Sequence, residues 1–238
     1  MSKRRILDLT STKKRDTLRY YDPDTPSSLA RTVPSTTFPF STAIYIFCPT
    51  AREANTANEA TDRNSSQPFY KGFSEIISMT SNSNAPWRWR RIVFSTRSLR
   101  PNVAFSFTSS GYTRVMAPYG DAATISQLFK GTADKDFNDV MDARVDNNRA
   151  RVLYDKTRLL RSGAGVHHHR FRMYHPLNAT LHYDEDEEGD GENTSPWSTT
   201  GTKGLGDVFV LDLFNCPLSS NDHALVVKPQ ATVYWHEK

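Results

Sequence analysis

Residues 87–91 read Trp-Arg-Trp-Arg-Arg, the run in this sequence best suited to chemistry with a polyanion. On a strand, alternate side chains take opposite faces, so Trp87 and Trp89 would share one side and Arg88 and Arg90 the other. Arg91 followed by Ile92 breaks that alternation, which predicts a bulge or a strand end there. Interleaved indole rings and guanidinium groups suit a surface that stacks bases and holds phosphates. The competing reading buries the tryptophans in the core and pairs the arginines with acids of a neighbouring strand or subunit.

A second cationic feature lies at the N-terminus. Lys3, Arg4, Arg5, Lys13, Lys14, Arg15 and Arg19 stand against Asp8 and Asp16, a net charge of +5 over residues 1–20. Such segments bind phosphates by charge, with salt-dependent affinity and no reading of bases, and basic triplets also serve nuclear import. Residues 184–192 are the opposite: Asp184, Glu185, Asp186, Glu187, Glu188, Asp190 and Glu192, with no base among them. The overall +4 therefore hides a segregation of charge that predicts a polyanion partner on one side only. The predicted DNA-binding set is Lys3, Arg4, Arg5, Lys13, Lys14, Arg15, Arg19, Arg88, Arg90 and Arg91.

The remaining reactive types carry less. His167 and His169 would share a strand face, as in a cupin metal site, but the glutamate such a site needs a few residues on is replaced by Met173 and Tyr174. Arg170 and Arg172 beside them disfavour a cation, so the run is expected to face solvent or an interface. The acidic stretch lacks the spacing of a calcium-binding helix-loop-helix and is expected to be a solvated charge run. There is no phosphate-binding loop, nucleophile elbow or zinc-protease motif. Neither a metal, a cofactor nor a catalytic role is expected. Cys48 and Cys216 are too few for a disulfide framework and are expected as reduced, half-buried thiols in an intracellular protein.

The elements that must position these residues read as strands. The even positions from Phe38 to Cys48 are apolar except Thr42, and Trp87–Thr96 is a second candidate. Further candidates are 102–108, 149–160, 167–174, 179–183, 206–216 and 223–235. In residues 206–216 apolar side chains occupy both faces, as in a strand covered on both sides. Pro229 lacks a backbone donor, which predicts an edge or a bulge at that point. Helix signals are confined to 125–130 and 134–143. Two polar loops, 50–68 and 184–203, interrupt the strands and are expected to be functional or exposed at an assembly surface. The 238 residues contain no apolar run long enough for a spanning helix, and the polar, basic start does not resemble a secretory signal. These features predict an all-β chain: a single eight-stranded jelly roll (a β-sandwich) over residues 21–238, with long loops and one or two short helices, preceded by a largely flexible basic segment, 1–20.

Several stretches taken in order carry a resemblance. Arg5-Ile6-Leu7-Asp8-Leu9-Thr10-Ser11 with Lys13-Lys14-Arg15-Asp16-Thr17, then Val152-Leu153-Tyr154-Asp155-Lys156, then 175–189 with its Asn178, Leu181, Tyr183 and following acids, and finally Tyr234-Trp235-His236-Glu237-Lys238 are similar to segments of genomovirus (gemycircularvirus-like) capsid proteins. The resemblance spans residues 4–238 and implies a jelly-roll coat subunit that self-assembles into a small icosahedral T=1 shell of about 60 copies. It also implies a circular single-stranded DNA genome, nuclear import, and localisation in the virion and, during assembly, the host nucleus. In such a shell the N-terminus would face inward to DNA and the acidic loop outward. Family members usually carry a long arginine-rich arm, whereas only Met1-Ser2 precedes Lys3 here. With on the order of 30 phosphates per subunit to neutralise, the chain is expected to assemble but to package DNA poorly. A non-assembling module that binds single-stranded nucleic acid through the Trp/Arg strand is the alternative. An enzyme or lectin built on the histidine run is a third reading.

Overall fold

The computed structural model describes residues 10–35, 42–57, 59–119, 128–161, 165–189, 191–218 and 222–238. Eight principal strands follow one another: β1 (Thr12–Leu18), β2 (Ala43–Phe47), β3 (Phe69–Ser81), β4 (Trp87–Thr96), β5 (Arg151–Leu160), β6 (His168–Thr180), β7 (Asp207–Asn215) and β8 (Ala224–Glu237). They form two antiparallel sheets with orders β1-β8-β3-β6 and β2-β7-β4-β5. Those two orders are the paired Greek keys of a jelly roll, and the fold follows from the strand order itself.

Three apolar layers hold the sandwich. Between the sheets, Phe47, Tyr70, Phe73, Val93, Val210, Val233 and Trp235 fill one half, and Tyr45, Ile77, Met79, Trp87, Trp89, Phe214 and Leu225 the other. The third layer lies outside the β2-β7-β4-β5 sheet, where Ile46, Ile92, Phe94, Phe209 and Leu211 pack against Phe129, Met141 and Trp197. That cover explains why every residue of β7 is buried, as its two apolar faces predict. Among the described residues, the outer face of β1-β8-β3-β6 has no such layer.

The predicted element 87–96 matches β4, and 206–216, 223–235 and 149–160 match β7, β8 and β5 within two residues. Residues 38–41 lie outside the described residues, as do 125–127 of the candidate helix 125–130. Candidate 167–174 and the first two residues of candidate 179–183 fall in one strand, β6, which ends at Thr180 and whose register slips between Pro176 and Ala179 around Asn178, at φ 47°. Candidate 102–108 is instead a 3-10 turn, Asn102–Ala104, and a two-residue strand, Phe107–Thr108, paired with Gly111–Tyr112. Residues 134–143 form turns rather than a helix. The Asp136 carboxylate accepts from the Thr132 amide and the Asp139 carboxylate from the Met141 amide, and such side chains compete with helical bonding. The acidic run includes a small hairpin, Asp186–Glu188 with Gly191–Asn193.

Two strands escape the apolar pattern. β1 takes residues 12–18 out of the basic segment and into the sheet, so the division at residue 20 does not hold. β3 hides its alternation behind a bulge and an inward glutamate. Pro229 has β3 on one side only: β1 ends opposite Ala231, and the short strand Arg31–Pro34 begins opposite Val227. An interior strand is thus an edge at its proline, as predicted.

Candidate nucleic-acid interface

The Trp/Arg strand turns inward. β4 runs through residues 87–96 without a slip against β7, so the bulge expected at Arg91 is absent. Arg91 shares the inner face with Trp87 and Trp89, all three essentially unexposed. Its guanidinium clasps Asp212 through two bonds of 2.7 Å and also meets Glu75. Arg114 closes the cluster, 2.9 Å from Glu75 and 3.0 Å from Asp212, while the Trp89 indole donates to Asp212 at 2.9 Å. Burial alone would raise the Asp212 pKa, but the charges of Arg91 and Arg114 and their hydrogen bonds hold it at about 2. The cluster joins β3 of one sheet to β4 and β7 of the other with no net charge, and its partners are all internal.

On the opposite face of β4, Arg90 is bound by Asp155 and by the carbonyls of Val140 and Ala143, and is buried. Arg88, half-buried, pairs with Asp142 at 2.6 Å. Arg90 and Arg91 therefore leave the predicted DNA-binding set, because carboxylates of the fold occupy their donors; the competing reading of this run is the observed one. Arg88 is committed to the same sheet, remote from the uncovered face. Lys3, Arg4 and Arg5 lie outside the described residues. In β1, Lys14 points inward, bonded to Glu237, Asn64 and the Asp62 carbonyl. Lys13 and Arg15 point outward and are exposed, as is Arg19 just beyond the strand.

Those outward residues open onto a larger arrangement. In the β1-β8-β3-β6 sheet all three carboxylates, Asp16, Glu75 and Glu237, turn inward to Arg52, the Arg91/Arg114 pair and Lys14. Six cations turn outward: Lys13 and Arg15 from β1, Lys71 from β3, Arg170 and Arg172 from β6, and Lys228 from β8. None of the six makes an ion pair among the described residues. Tyr174, His168, Tyr234, His236 and Phe69 stand among them on the same face. A sheet face that carries, among the described residues, six cations, aromatic rings, no acid and no covering layer is an electrostatic and stacking platform for a polyanion. The sequence signal was present in 168–174, where Arg170, Arg172 and Tyr174 alternate with Phe171 and Met173. It is the period of two, rather than a local density of charge, that gathers them.

The other candidates resolve differently. His167 is buried and His169 half-buried, with ring centres 5.2 Å apart, while His168 is exposed and bonded to Thr80 at 2.8 Å. Burial and the neighbouring His167 and His168 lower the His169 pKa. The run is thus split across the sheet rather than facing solvent together. No group of three or more metal-ligating side chains occurs among the described residues. In the acidic stretch Glu185 is not solvated: it is buried against Arg63, which also bonds the Arg52 and Ser65 carbonyls and lies 3.7 Å from the Tyr183 ring centre. Asp186, Glu187 and Glu188 are exposed. Both cysteines are buried free thiols, and burial raises their pKa values.

No protein-family model matches the chain, and no curated protein does. Among solved structures, a cryo-EM structure of Broad Bean Stain Virus is similar over 86% of this chain and 85% of that one, at 7% sequence identity and a TM-score of 0.28.

Proposed function

We propose that this chain is a structural protein rather than an enzyme: a viral coat subunit that self-assembles into a small icosahedral shell around single-stranded DNA. The acid-free outer face of β1-β8-β3-β6 is the observation that carries this reading. Among the described residues the jelly roll covers one sheet with its own loops and leaves the other bare, and the bare face holds six outward cations. Turned to the inside of a shell, that face and the basic residues 3–5 would neutralise phosphates together. The acidic hairpin at Asp186–Glu188 would then lie away from the genome. The resemblance of the chain to genomovirus capsid proteins supports the same assignment, with circular DNA as cargo and nuclear import before assembly. Lys13-Lys14-Arg15 is poorly suited to be the import signal, since Lys14 is buried in a strand, so that role falls to Lys3-Arg4-Arg5.

Light scattering on a size-exclusion column, with absorbance at about 260 and 280 nm across the peak, tests the reading through the aromatic and base contributions. A megadalton particle is expected. A peak near the 27.0 kDa of one chain, with salt-dependent oligonucleotide binding, would replace the coat with a non-assembling nucleic-acid-binding module.

A further inference from the structure

Two irregularities lie side by side on the bare face. β3 carries an extra residue, Lys71, where Tyr234 pairs with Gly72 but Trp235 with Tyr70. At the same level β6 loops out Leu177 and Asn178. The side chain of Tyr174 lies across Gly72: a Cβ on that glycine would fall 2.8 Å from the Tyr174 Oη and against the His175 carbonyl. The Tyr174 hydroxyl donates to the Lys71 carbonyl at 3.1 Å, which holds the ring down while leaving it 53% exposed. Across β3, Tyr234 stands 3.4 Å from Ser74 through its hydroxyl. The Phe69 and His236 rings lie 6.4 Å apart at a 49° tilt.

The result is a groove in two connected parts. One, of about 990 Å³, is bordered by Phe69, Lys71 and His236. The other, of about 610 Å³, is bordered by Lys13, Arg15, Lys71, Tyr174 and Tyr234. Glu237, which also lines the larger part, has its carboxylate held by Lys14, the Asn64 amide and the Trp235 indole. Cations thus border a floor of aromatic rings. A duplex hides its base faces and offers this floor only phosphates, whereas an unpaired strand offers both.

We propose that this groove is a stacking subsite for unpaired bases of a single-stranded nucleic acid, with Tyr174 and Tyr234 as platforms and Lys13, Arg15 and Lys71 on the flanking phosphates. The inference rests on the nucleic-acid reading of the bare face. Stacking is indifferent to base identity, so the subsite selects for single-strandedness and not for sequence.

The test uses the full chain, brought from high salt into falling salt with fluorescent oligonucleotides of equal length and charge. The probes are oligo-dT, an abasic sugar-phosphate strand and a duplex, read by anisotropy. Oligo-dT is expected to bind roughly ten-fold more tightly than the abasic strand. The variant Y174L/Y234L should bring the two together without changing the salt dependence. The variant R170A/R172A should weaken both equally. Equal binding of oligo-dT and abasic strand by the unaltered chain overturns the stacking subsite and leaves the charged face standing, as does tighter binding of the duplex per phosphate. Failure of every probe to bind, with R170A/R172A without effect, overturns the face itself and the subsite with it.

Discussion

Arg91 shows how far residue type misleads without its neighbours. It stands in the densest cationic run of the body, yet it serves Glu75 and Asp212 in the interior. Replacing Arg91 by Met would leave two carboxylates buried with only Arg114 between them. Unpairing a buried charge costs about 3–5 kcal/mol, so R91M should lower the urea unfolding midpoint severely, whereas R170A on the bare face should change stability by less than about 0.5 kcal/mol. Equal effects of the two would mean that Arg91 is no more an internal cation than Arg170. His175 gives a second residue-scale prediction. Burial, then the Arg91 charge, lowers its pKa to about 4, against about 6.5 in the unfolded chain. Between those values the unfolded chain binds more protons, so this group's contribution is intact above pH 6.5 and is lost as pH falls toward 4. Asp207 works against it: burial raises its pKa to about 6, so its share is full near pH 4 and declines as pH rises to 6. A His175→Phe change keeps the ring against Phe73 and Tyr154 and removes only the first effect. Its stability relative to the unaltered chain should rise by about 2 kcal/mol between about pH 7.5 and pH 5. An identical difference at both pH values, read from urea midpoints, would show that His175 does not titrate this way.

At the scale of elements, legibility followed the regularity of the pleat. β8 could be read because its apolar residues keep one period, β7 because both its faces are apolar, and β4 because Trp87 and Trp89 lead into the apolar run 92–94. β1 could not, since Thr-Lys-Lys-Arg-Asp-Thr-Leu has one apolar residue and its inward positions are Lys14, Asp16 and Leu18. Burial there depends on Glu237 and Arg52, residues 223 and 36 positions away, and no local pattern announces such pairs. β3 failed for another reason: the extra residue at Lys71 shifts the alternation, and Glu75 occupies a core position. The bare face was missed with them, because two of its four strands were missing. Gly72 is the residue on which this part of β3 depends. Its φ of 149° disfavours an L side chain, and an added Cβ would strike the His175 carbonyl. Gly72→Ala should therefore cost about 2–3 kcal/mol through strain and displaced backbone, seen as a lower melting temperature. It should also lift the Tyr174 ring and abolish any preference for oligo-dT over an abasic strand. A variant as stable as the unaltered chain would mean that β3 accommodates the methyl group by sliding against β6.

For the molecule as a whole, the two sheets divide the work. The β2-β7-β4-β5 sheet is sealed by the layer around Phe129, Met141 and Trp197, so its surface belongs to the subunit's own fold. Among the described residues nothing packs over the β1-β8-β3-β6 sheet, and the inward turn of Asp16, Glu75 and Glu237 leaves its outer cations without acids there. Like charges collected on one face raise the energy of the isolated subunit, and a phosphate backbone with its releasable counterions relieves this. Contacts between subunits, by contrast, draw on buried aromatic and apolar anchors, for which the exposed Phe107 and Leu159 stand on strands outside the cationic sheet. Cargo binding and assembly should therefore come apart in the triple variant R170A/R172A/K228A. Particles with an unchanged number of subunits are expected, read as the protein share of the light-scattering mass, because the substituted residues make no ion pair among the described residues. Their nucleic-acid content should fall, with the salt dependence of single-strand binding shallower by about 2, near 0.7 per lost phosphate contact for three contacts. Particles that keep their full nucleic acid would move the binding to the basic residues 3–5 alone. Loss of the particles themselves would mean that this face lies between subunits and that its cations meet acids of a neighbouring copy, with the exposed Asp186–Glu188 hairpin the first place to look for them.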